Sequence, residues 1–322
     1  MKKYYIGIDL GGTNIKIALL GKKFNILKKT LFPTALHKKP SQVILAIKNA
    51  IDDMLSIQRA SLKEVFGIGI GVAGLVNAKE GLIHSLVNIP GWRGMNIKKM
   101  LQKITRVPVY ADNDANVMAI AEFRKGAGKG CRNLICVTLG TGVGGGIILN
   151  GNIYRGSTFS AGEIGHIPLN EKGPRCNCGG FACIESYIGN KYMMKELARK
   201  IKSGGQTVLK EMTKGDLSGL TPELLYRAAK RGDRLAREFW RELGAKLGIA
   251  LTGIINVFDP DSVIIGGGVA DAGEFLFATV RSTVKARAME VQKKHVKILK
   301  AKLGQDSGLV GAGILVEIEK GR

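Results

Sequence analysis

Tyr4-Tyr5-Ile6-Gly7-Ile8-Asp9-Leu10 runs into Gly11-Gly12-Thr13-Asn14 and then into Ile15-Lys16-Ile17-Ala18-Leu19-Leu20. Two apolar, β-branched segments joined by a glycine turn read as strand, turn, strand. The second strand alternates, with Ile15, Ile17 and Leu19 on one face. The same pattern returns about 130 residues later. There Asn133-Leu134-Ile135-Cys136-Val137-Thr138-Leu139 is the strand and Gly140-Thr141-Gly142-Val143-Gly144-Gly145 the turn. Gly146-Ile147-Ile148-Leu149-Asn150-Gly151 is the returning strand. This weak internal repeat suggests two related lobes, each opening with a β-hairpin, although two ordinary hairpins would look the same.

Working outward, Ser41 to Ile57 has helical period, with Val43, Ile44, Ile47, Ile51, Met54 and Leu55 as its apolar stripe. Phe66 to Val72 reads as a buried strand ending at Ala73-Gly74. Val107 to Ala111 reads as another strand, followed by a helix from about Ala115 to Glu122. Thr221 with Pro222 marks a helix start, and Leu235 to Phe258 is a long helix stopped by Asp259-Pro260-Asp261. Ser262 to Ile265 is a strand entering Gly266-Gly267-Gly268. Phe275 to Ala288 and Gly308 to Glu319 are further helices. With 322 residues the chain can bury a large core, and the length favours two domains. No apolar run is long enough for a membrane span, since Leu247 to Phe258 is short and carries Asn256. The formal charge of +23 is spread along the chain and is densest in two stretches read as helical, Lys191 to Lys202 and Arg281 to Lys302. It reads as a solvated basic surface or as attraction for a polyanion; aromatic residues, at 6%, do not interleave with the basic runs.

Three glycine-rich turns follow three strands: Gly11-Gly12-Thr13-Asn14, Gly140-Thr141-Gly142 and Gly266-Gly267-Gly268. Glycine lets backbone N–H groups converge on an anion, and the Thr13 and Thr141 hydroxyls add donors. Three such turns favour a site cradling nucleotide phosphates from two lobes. None matches the G-x-x-x-x-G-K-[ST] loop, and the first two enter strands, which excludes a plain dinucleotide unit. Asp9, at a strand end, is placed to hold Mg²⁺ directly or through water, or else to cap the hairpin. Lys16 could reach phosphate, but its outward strand position favours plain solvation. Ala111-Asp112-Asn113-Asp114-Ala115-Asn116 places polar groups where a strand ends and a helix begins, the usual ligand position in open α/β sheets. One of them must cap the helix, and Asn113 or Asp114 could do only that. The functional alternative is a carboxylate that accepts a proton from a substrate hydroxyl during phosphoryl transfer.

Cys176-Asn177-Cys178-Gly179-Gly180-Phe181-Ala182-Cys183-Ile184-Glu185 holds three of the chain's five cysteines. Thiolates this close suit one tetrahedral Zn²⁺, with His166, ten residues upstream in Ala161-Gly162-Glu163-Ile164-Gly165-His166, as the fourth ligand. Three buried reduced cysteines are the bland alternative. Cys-x-Cys is too tight for an easy disulfide. Four protein ligands leave no open position, so the metal would be structural. It would pin the loops bearing Glu163 and Glu185, and the second His166 nitrogen would remain a donor, a surface suited to sugar hydroxyls. Few cysteines, held as thiolates, fit a reducing cytoplasm.

Together these residues resemble the ROK family of sugar kinases and sugar-responsive repressors, over nearly the whole chain. The resemblance rests on Ala161 to His166 with Cys176 to Glu185, on Leu139 to Gly146, Asp9 to Thr13 and Asn113 to Asn116. Asn88-Ile89-Pro90-Gly91-Trp92 and Ile264 to Gly268 add to it. It implies an α/β, actin-like (ribonuclease-H-like) ATPase fold of two lobes with ATP and sugar in a cleft between them. The small lobe would be residues 1–114 plus 305–322, and the large lobe 115–304. It implies Asp114 as general base, with Gly74, Asn113, Glu163, His166 and Glu185 at the sugar. The two hairpins would hold phosphates, with Gly266 to Gly268 against the adenosine. His166, Cys176, Cys178 and Cys183 would bind zinc. Two positions depart from the family pattern: Ala182 stands where glycine is usual, and Asn77 where aspartate is common.

The expected activity is ATP-dependent phosphorylation of a hexose, glucose at its 6-hydroxyl. N-acetylmannosamine, N-acetylglucosamine and fructose are the neighbouring substrates, and polyphosphate the alternative donor. A sugar-sensing repressor is the reading from another class. It is disfavoured because the core hairpin begins by Tyr4, leaving no room for a helix-turn-helix before it. Sugar and ATP are the expected partners, in a homo-oligomer, with neither membrane nor nucleic acid.

Overall fold

The computed structural model describes residues 1–36, 39–86 and 91–321. The described residues form strands β1 (Tyr4–Leu10), β2 (Asn14–Leu20), β3 (Ile26–Pro33), β4 (Val65–Val72), β5 (Gly74–Asn77) and β6 (Leu82–Leu86). Strands β7 (Val109–Asn113), β8 (Leu134–Leu139), β9 (Val143–Leu149), β10 (Asn152–Tyr154), β11 (Ser262–Gly266) and β12 (Lys297–Lys300) follow. The helices are α1 (Pro40–Ile57), α2 (Ile97–Thr105), α3 (Asp114–Lys125), α4 (Glu185–Ile188), α5 (Asn190–Lys202) and α6 (Leu209–Met212). They continue with α7 (Pro222–Lys230), α8 (Arg234–Phe258), α9 (Glu274–Arg287), α10 (Glu290–His295) and α11 (Ser307–Lys320). Two compact units result. The first holds residues 1–130, 146–162 and 302–322, and the second residues 131–145 and 163–301.

The first unit is built on a sheet of order β3-β2-β1-β4-β7. Strands β1, β2 and β3 are antiparallel neighbours, while β4 and β7 run parallel to β1. Successive residues of a strand face opposite sides. Ile6, Ile8 and Leu10 of β1, with Ile68, Ile70 and Val72 of β4, join a core that includes Val43, Ile47 and Ile51 of α1. The intervening Gly7 and Gly69 face α11. A Cβ on Gly7 would lie 2.0 Å from the Leu309 carbonyl oxygen, and one on Gly69 1.7 Å from that of Ala312. The sheet is therefore covered on both faces, which is why β4 is apolar at almost every position.

The second sheet has the order β10-β9-β8-β11-β12. Numbered within itself, each sheet reads 3-2-1-4-5, so the hairpin repeat seen in the sequence is a repeat of topology. Strand β9 begins in the second unit and continues into the first, where Ile147, Ile148 and Leu149 pair with β10. In the second unit β11 lies parallel between β8 and β12. There α8 and α9 approach closely because Gly244 and Gly248 of α8 meet Thr279 and Thr283 of α9. Helix α8 ends at Phe258 and is capped by Asp259, whose backbone is left-handed (φ 43°), just before Pro260.

Several boundaries differ from expectation. Strand β9 starts at Val143, because Gly144 and Gly145 continue the ladder. The basic stretch from Arg281 to Lys302 is not one helix: α9 stops at Arg287, α10 is short, and Lys297–Lys300 is a strand. Lys297 and Lys300 bracket Ile298 and Leu299 there, giving an edge strand with one buried residue, Ile298. Strand β3, the β5–β6 hairpin and α2 were not anticipated. Of the family-like stretch from Asn88 to Trp92, the first three residues lie outside the described residues.

The first segment of the first unit ends at Gly130, and its last begins at Lys302. Glu122 of α3, fully buried, lies beside both segments. Its carboxylate accepts from Ala127 N (2.8 Å), Lys302 N (3.1 Å) and Leu303 N (2.8 Å). Among the described residues no helix is long and apolar enough to cross a membrane.

The backbone-to-backbone approach of α11 and β4 gives a signed test. Gly69→Ala should cost about 3 kcal/mol or more, because main chain must move to admit the methyl. Gly253→Ala, on α8 where an added Cβ meets nothing within 4 Å, should instead stabilise by about 0.5–1 kcal/mol. Urea unfolding of both variants checks the pair, and a neutral Gly69→Ala would refute the packing argument.

Candidate functional site

In the first unit the strand ends β1, β4 and β7 and the start of α3 carry the candidate residues. Asp9 sits one residue before the end of β1, directly opposite Lys16 of β2. The Lys16 ammonium lies 3.5 Å from the Asp9 carboxylate, so the expectation of a merely solvated lysine is corrected. Burial pushes the Asp9 carboxyl above its usual range, and Lys16 pulls it partly back. The turn Gly11-Gly12-Thr13-Asn14 is closed by Gly11 N donating to Asn14 O (3.1 Å). Thr34 braces it from outside, its hydroxyl donating to Gly11 O (2.8 Å) and its N–H to Thr13 O (2.9 Å).

Asn113 is the N-cap of α3. Its side-chain oxygen accepts from Ala115 N (2.9 Å) and Asn116 N (3.3 Å), and its amide donates to Gly74 O (3.1 Å). The choice left open between Asn113 and Asp114 as cap is thereby resolved. Asp114 becomes the first helical residue, exposed, where the positive end of the helix favours a carboxylate. Gly74 passes close to β6: a Cβ there would sit 2.2 Å from Ser85 O. The structure thus brings Gly74, Asn113 and Asp114 together.

Beneath them lies Asp112, 1% exposed. It accepts from Asn113 N (2.8 Å), Asn116 Nδ2 (2.9 Å) and Arg155 Nε (2.7 Å). Burial pushes its carboxyl up, and Arg155 with these donors pulls it down. Sequence reasoning missed this pair. A carboxylate on an apolar strand signals a buried cation, but the stretch from Asn152 to Gly156 carries no motif that nominates Arg155.

The second unit assembles the other candidates. His166 Nδ1 lies 3.7 Å from Cys176 Sγ, and Cys178 Sγ lies 3.7 Å from Cys183 Sγ. All four ligand atoms fall within 4.8 Å of one another. A tetrahedron with metal–sulfur bonds of about 2.3 Å has edges of about 3.8 Å, so the donor set fits one tetrahedral cation. Without a cation the thiols are crowded, and burial with the neighbouring sulfurs pushes Cys183 up to about 12. The cluster stands on isolated bridges, Pro168 with Cys183 and Arg175 with Phe181. No disulfide joins any of the five cysteines; Cys136 is a core residue and Cys131 is half-buried beside Ser262.

With Nδ1 facing Cys176, His166 Nε2 points toward the Glu163 carboxylate at 3.7 Å. That is too long for a direct hydrogen bond, so both groups keep capacity for a shared hydroxyl. The Glu163 side chain is 46% exposed; partial desolvation raises its pKa, His166 opposes this and Glu185 adds to it. Glu185 opens α4. One oxygen accepts from Val143 N (3.0 Å), and the other lies 3.9 Å from Cys176 Sγ. A Cβ at position 142 would lie 2.4 Å from the Glu185 carboxylate, which would have to swing aside to admit it. Glu185 therefore joins the cysteine loop to the second glycine turn. That turn is closed by Gly140 N donating to Gly142 O (3.0 Å), and Asn190 N donates to Gly140 O (2.9 Å). Gly144 N donates to the Thr138 hydroxyl (3.2 Å).

Gly266 ends β11 beside Thr138 of β8. Gly267 has φ +86°, and a Cβ there would meet Leu139 O at 2.2 Å, so only glycine fits. Gly268 starts a 3₁₀ turn (Gly268–Ala272) with open space around it. The structure thus sets Gly140, Thr141 and Gly142 next to Gly266, Gly267 and Gly268, while Gly11, Gly12, Thr13 and Asn14 lie in the first unit.

Paired five-stranded sheets of repeated topology, each opening with a glycine-turn hairpin, define the actin-like ATPase fold. The family model of the ROK family matches residues 5–319, and the chain belongs to the ROK family. It is 38% identical over 320 residues to a glucokinase of Halalkalibacterium halodurans, covering 98% of this chain and 95% of that protein. It is 29% identical over 315 residues to a xylose repressor of Caldicellulosiruptor bescii, covering 97% and 77%. Among solved structures it is similar to a ROK family glucokinase from Streptomyces griseus in complex with glucose and AMPPNP. That match has a TM-score of 0.84 and 32% identity, over 98% of this chain and 99% of that one.

Asn113→Ala removes both the α3 cap and the bond to Gly74. It should cost about 1–2 kcal/mol of stability in denaturant unfolding. An unchanged unfolding midpoint would show that the cap is dispensable.

Proposed function

We propose that the protein is an ATP-dependent sugar kinase that transfers the γ-phosphoryl group to a hexose, glucose to glucose 6-phosphate. The likeness to the Streptomyces griseus glucokinase, solved with glucose and AMPPNP and matched along nearly all of both chains, carries the reading. The Halalkalibacterium halodurans glucokinase supports the same substrate.

In this reading Asp114 accepts the proton of the sugar hydroxyl as its oxygen attacks the γ-phosphorus, and ADP leaves. Its place at the first residue of α3 suits that role, since the cap is supplied by Asn113 and the Asp114 carboxylate remains at the surface. Asn113 has a second amide N–H beyond the one given to Gly74, available to a sugar oxygen. Glu163, His166 and Glu185 grip further hydroxyls, and a site built on such groups discriminates strongly against sugars lacking them. Gly11 to Asn14 and Gly140 to Gly142 hold phosphate oxygens through backbone N–H groups, with Gly266 to Gly268 at the adenosine. Asp9 is the carboxylate for Mg²⁺, a hard cation suited to carboxylate and water. His166, Cys176, Cys178 and Cys183 hold a structural Zn²⁺, which cross-links the loop between Glu163 and Glu185 and takes no part in the chemistry.

Asp114→Asn should lower kcat by about 1,000-fold or more while glucose affinity, by calorimetry, stays within about tenfold. A variant that keeps most of its kcat removes Asp114 as the base. Glucose should lead a panel that includes fructose, N-acetylglucosamine and N-acetylmannosamine in ADP release with ATP and Mg²⁺. Another sugar in first place would reassign the substrate, and faster turnover with polyphosphate the donor.

Elemental analysis should find about one zinc per chain, and Cys178→Ser should lose most of it with a lower melting temperature. Well-folded protein without zinc would sink the metal assignment.

A further inference from the structure

We propose that Arg155 is a positioning residue for the catalytic aspartate, acting through Asp112. The inference rests on the kinase reading, because it takes Asp114 as the base.

Arg155 follows β10 directly and is only 9% exposed. Its guanidinium makes two charge-assisted bonds in different directions: Nε to Asp112 Oδ2 at 2.7 Å and an Nη to Glu319 Oε1 of α11 at 2.8 Å. The fork geometry is specific to arginine, since one ammonium cannot hold two carboxylates at those angles. The first bond fixes Asp112, and Asp112 Oδ1 then holds Asn113 N and Asn116 Nδ2. Those two residues flank Asp114. The peptide entering Asn113 and the first turn of α3 are thus set by one carboxylate, held in a buried site by the Arg155 guanidinium beside it. The Arg155 carbonyl also accepts from Ala161 N (3.0 Å), closing the loop that leads into Gly162 and Glu163. One residue therefore braces both the aspartate's helix and the chain entering the sugar-binding glutamate.

Mere structural support and positioning separate experimentally. Arg155→Met removes the charge and keeps much of the stem; Arg155→Lys keeps the charge without the fork. Positioning predicts that kcat per folded molecule falls about 100-fold in Arg155→Met. KM for ATP should stay within about twofold, because the glycine turns are untouched, and Arg155→Lys should regain about tenfold of the loss. The folded fraction is measured by circular dichroism at the assay temperature. Arg155→Met that melts earlier but keeps kcat within about threefold would overturn the inference and leave Arg155 a purely structural residue. Should Arg155→Met fail to fold, Glu319→Gln loosens the same guanidinium from its half-buried side. Its kcat should fall about fivefold, and an unchanged kcat there is equally fatal. The unaltered chain is assayed alongside: no sugar-dependent ADP release removes the kinase reading and this inference with it. Robust release with an undiminished Arg155→Met counts against this inference alone.

Discussion

A helix can approach a sheet only as closely as the intervening side chains allow, and in the first unit they are absent at the points of contact. Gly7 of β1 and Gly69 of β4 let the α11 backbone rest on the strands, and Gly311 of α11 rests in turn on Val117 of α3, where a Cβ would lie 2.0 Å from its carbonyl oxygen. The consequence reaches both ends of the helix. At its start Gly308 lies against the Asp9 side chain, and at its end Glu319 meets Arg155. The aspartate proposed for Mg²⁺ and the network beneath Asp114 are therefore referenced to one rigid element. Rigid reference of this kind matters for phosphoryl transfer, where positioning and charge neutralisation supply most of the catalysis.

The same unit buries two carboxylates by different means. Asp112 has a guanidinium, and its ionised form is matched by a full charge and two further donors. Glu122 receives the backbone N–H groups of Ala127, Lys302 and Leu303, which together engage both of its oxygens. Backbone amides are fixed donors, so they satisfy a carboxylate without the entropy cost of ordering a long basic side chain. Removing a partner from either site leaves a buried charge exposed to its full desolvation penalty. A surface ion pair such as Arg124 with Glu317, where both side chains are about two-fifths exposed, carries no comparable stake.

Legibility followed the range of each interaction. The two hairpins, the topological repeat and the cysteine cluster were readable because their determinants are local: alternation, glycine turns, and thiols within eight residues. The Thr221 cap was readable too, and Thr221 indeed accepts from Leu224 N. The family resemblance supplied roles that local pattern does not. What escaped was set by distant partners. Strand β3 is mostly exposed and carries Lys28-Lys29-Thr30 at its centre, so it looks like a loop until it pairs with β2. The Asp9–Lys16 contact needs the hairpin register, and the Asp112–Arg155–Glu319 chain needs three segments of sequence brought together. A basic stretch such as 281–302 misleads because solvated lysines suit a helix surface and an edge strand equally.

The two departures from the family pattern are local adjustments. Ala182 has a left-handed backbone (φ 54°), where a Cβ costs about 1–2 kcal/mol. Its methyl is fully buried, which returns about 0.8 kcal/mol, and it has room because Gly173 opposite lacks a Cβ that would otherwise sit 2.7 Å away. The loop's hydrogen bonds, Ala182 N to Pro174 O and Leu169 N to Ala182 O, are intact, and Cys183 keeps its place in the cluster. Asn77 has its side-chain oxygen on Lys79 N and Glu80 N, capping the turn between β5 and β6. An aspartate would accept the same two bonds. The exchange is therefore a choice between equivalent turn residues and carries little information about which sugar binds, a question that falls instead to the residues proposed to hold it, Asn113, Glu163, His166 and Glu185.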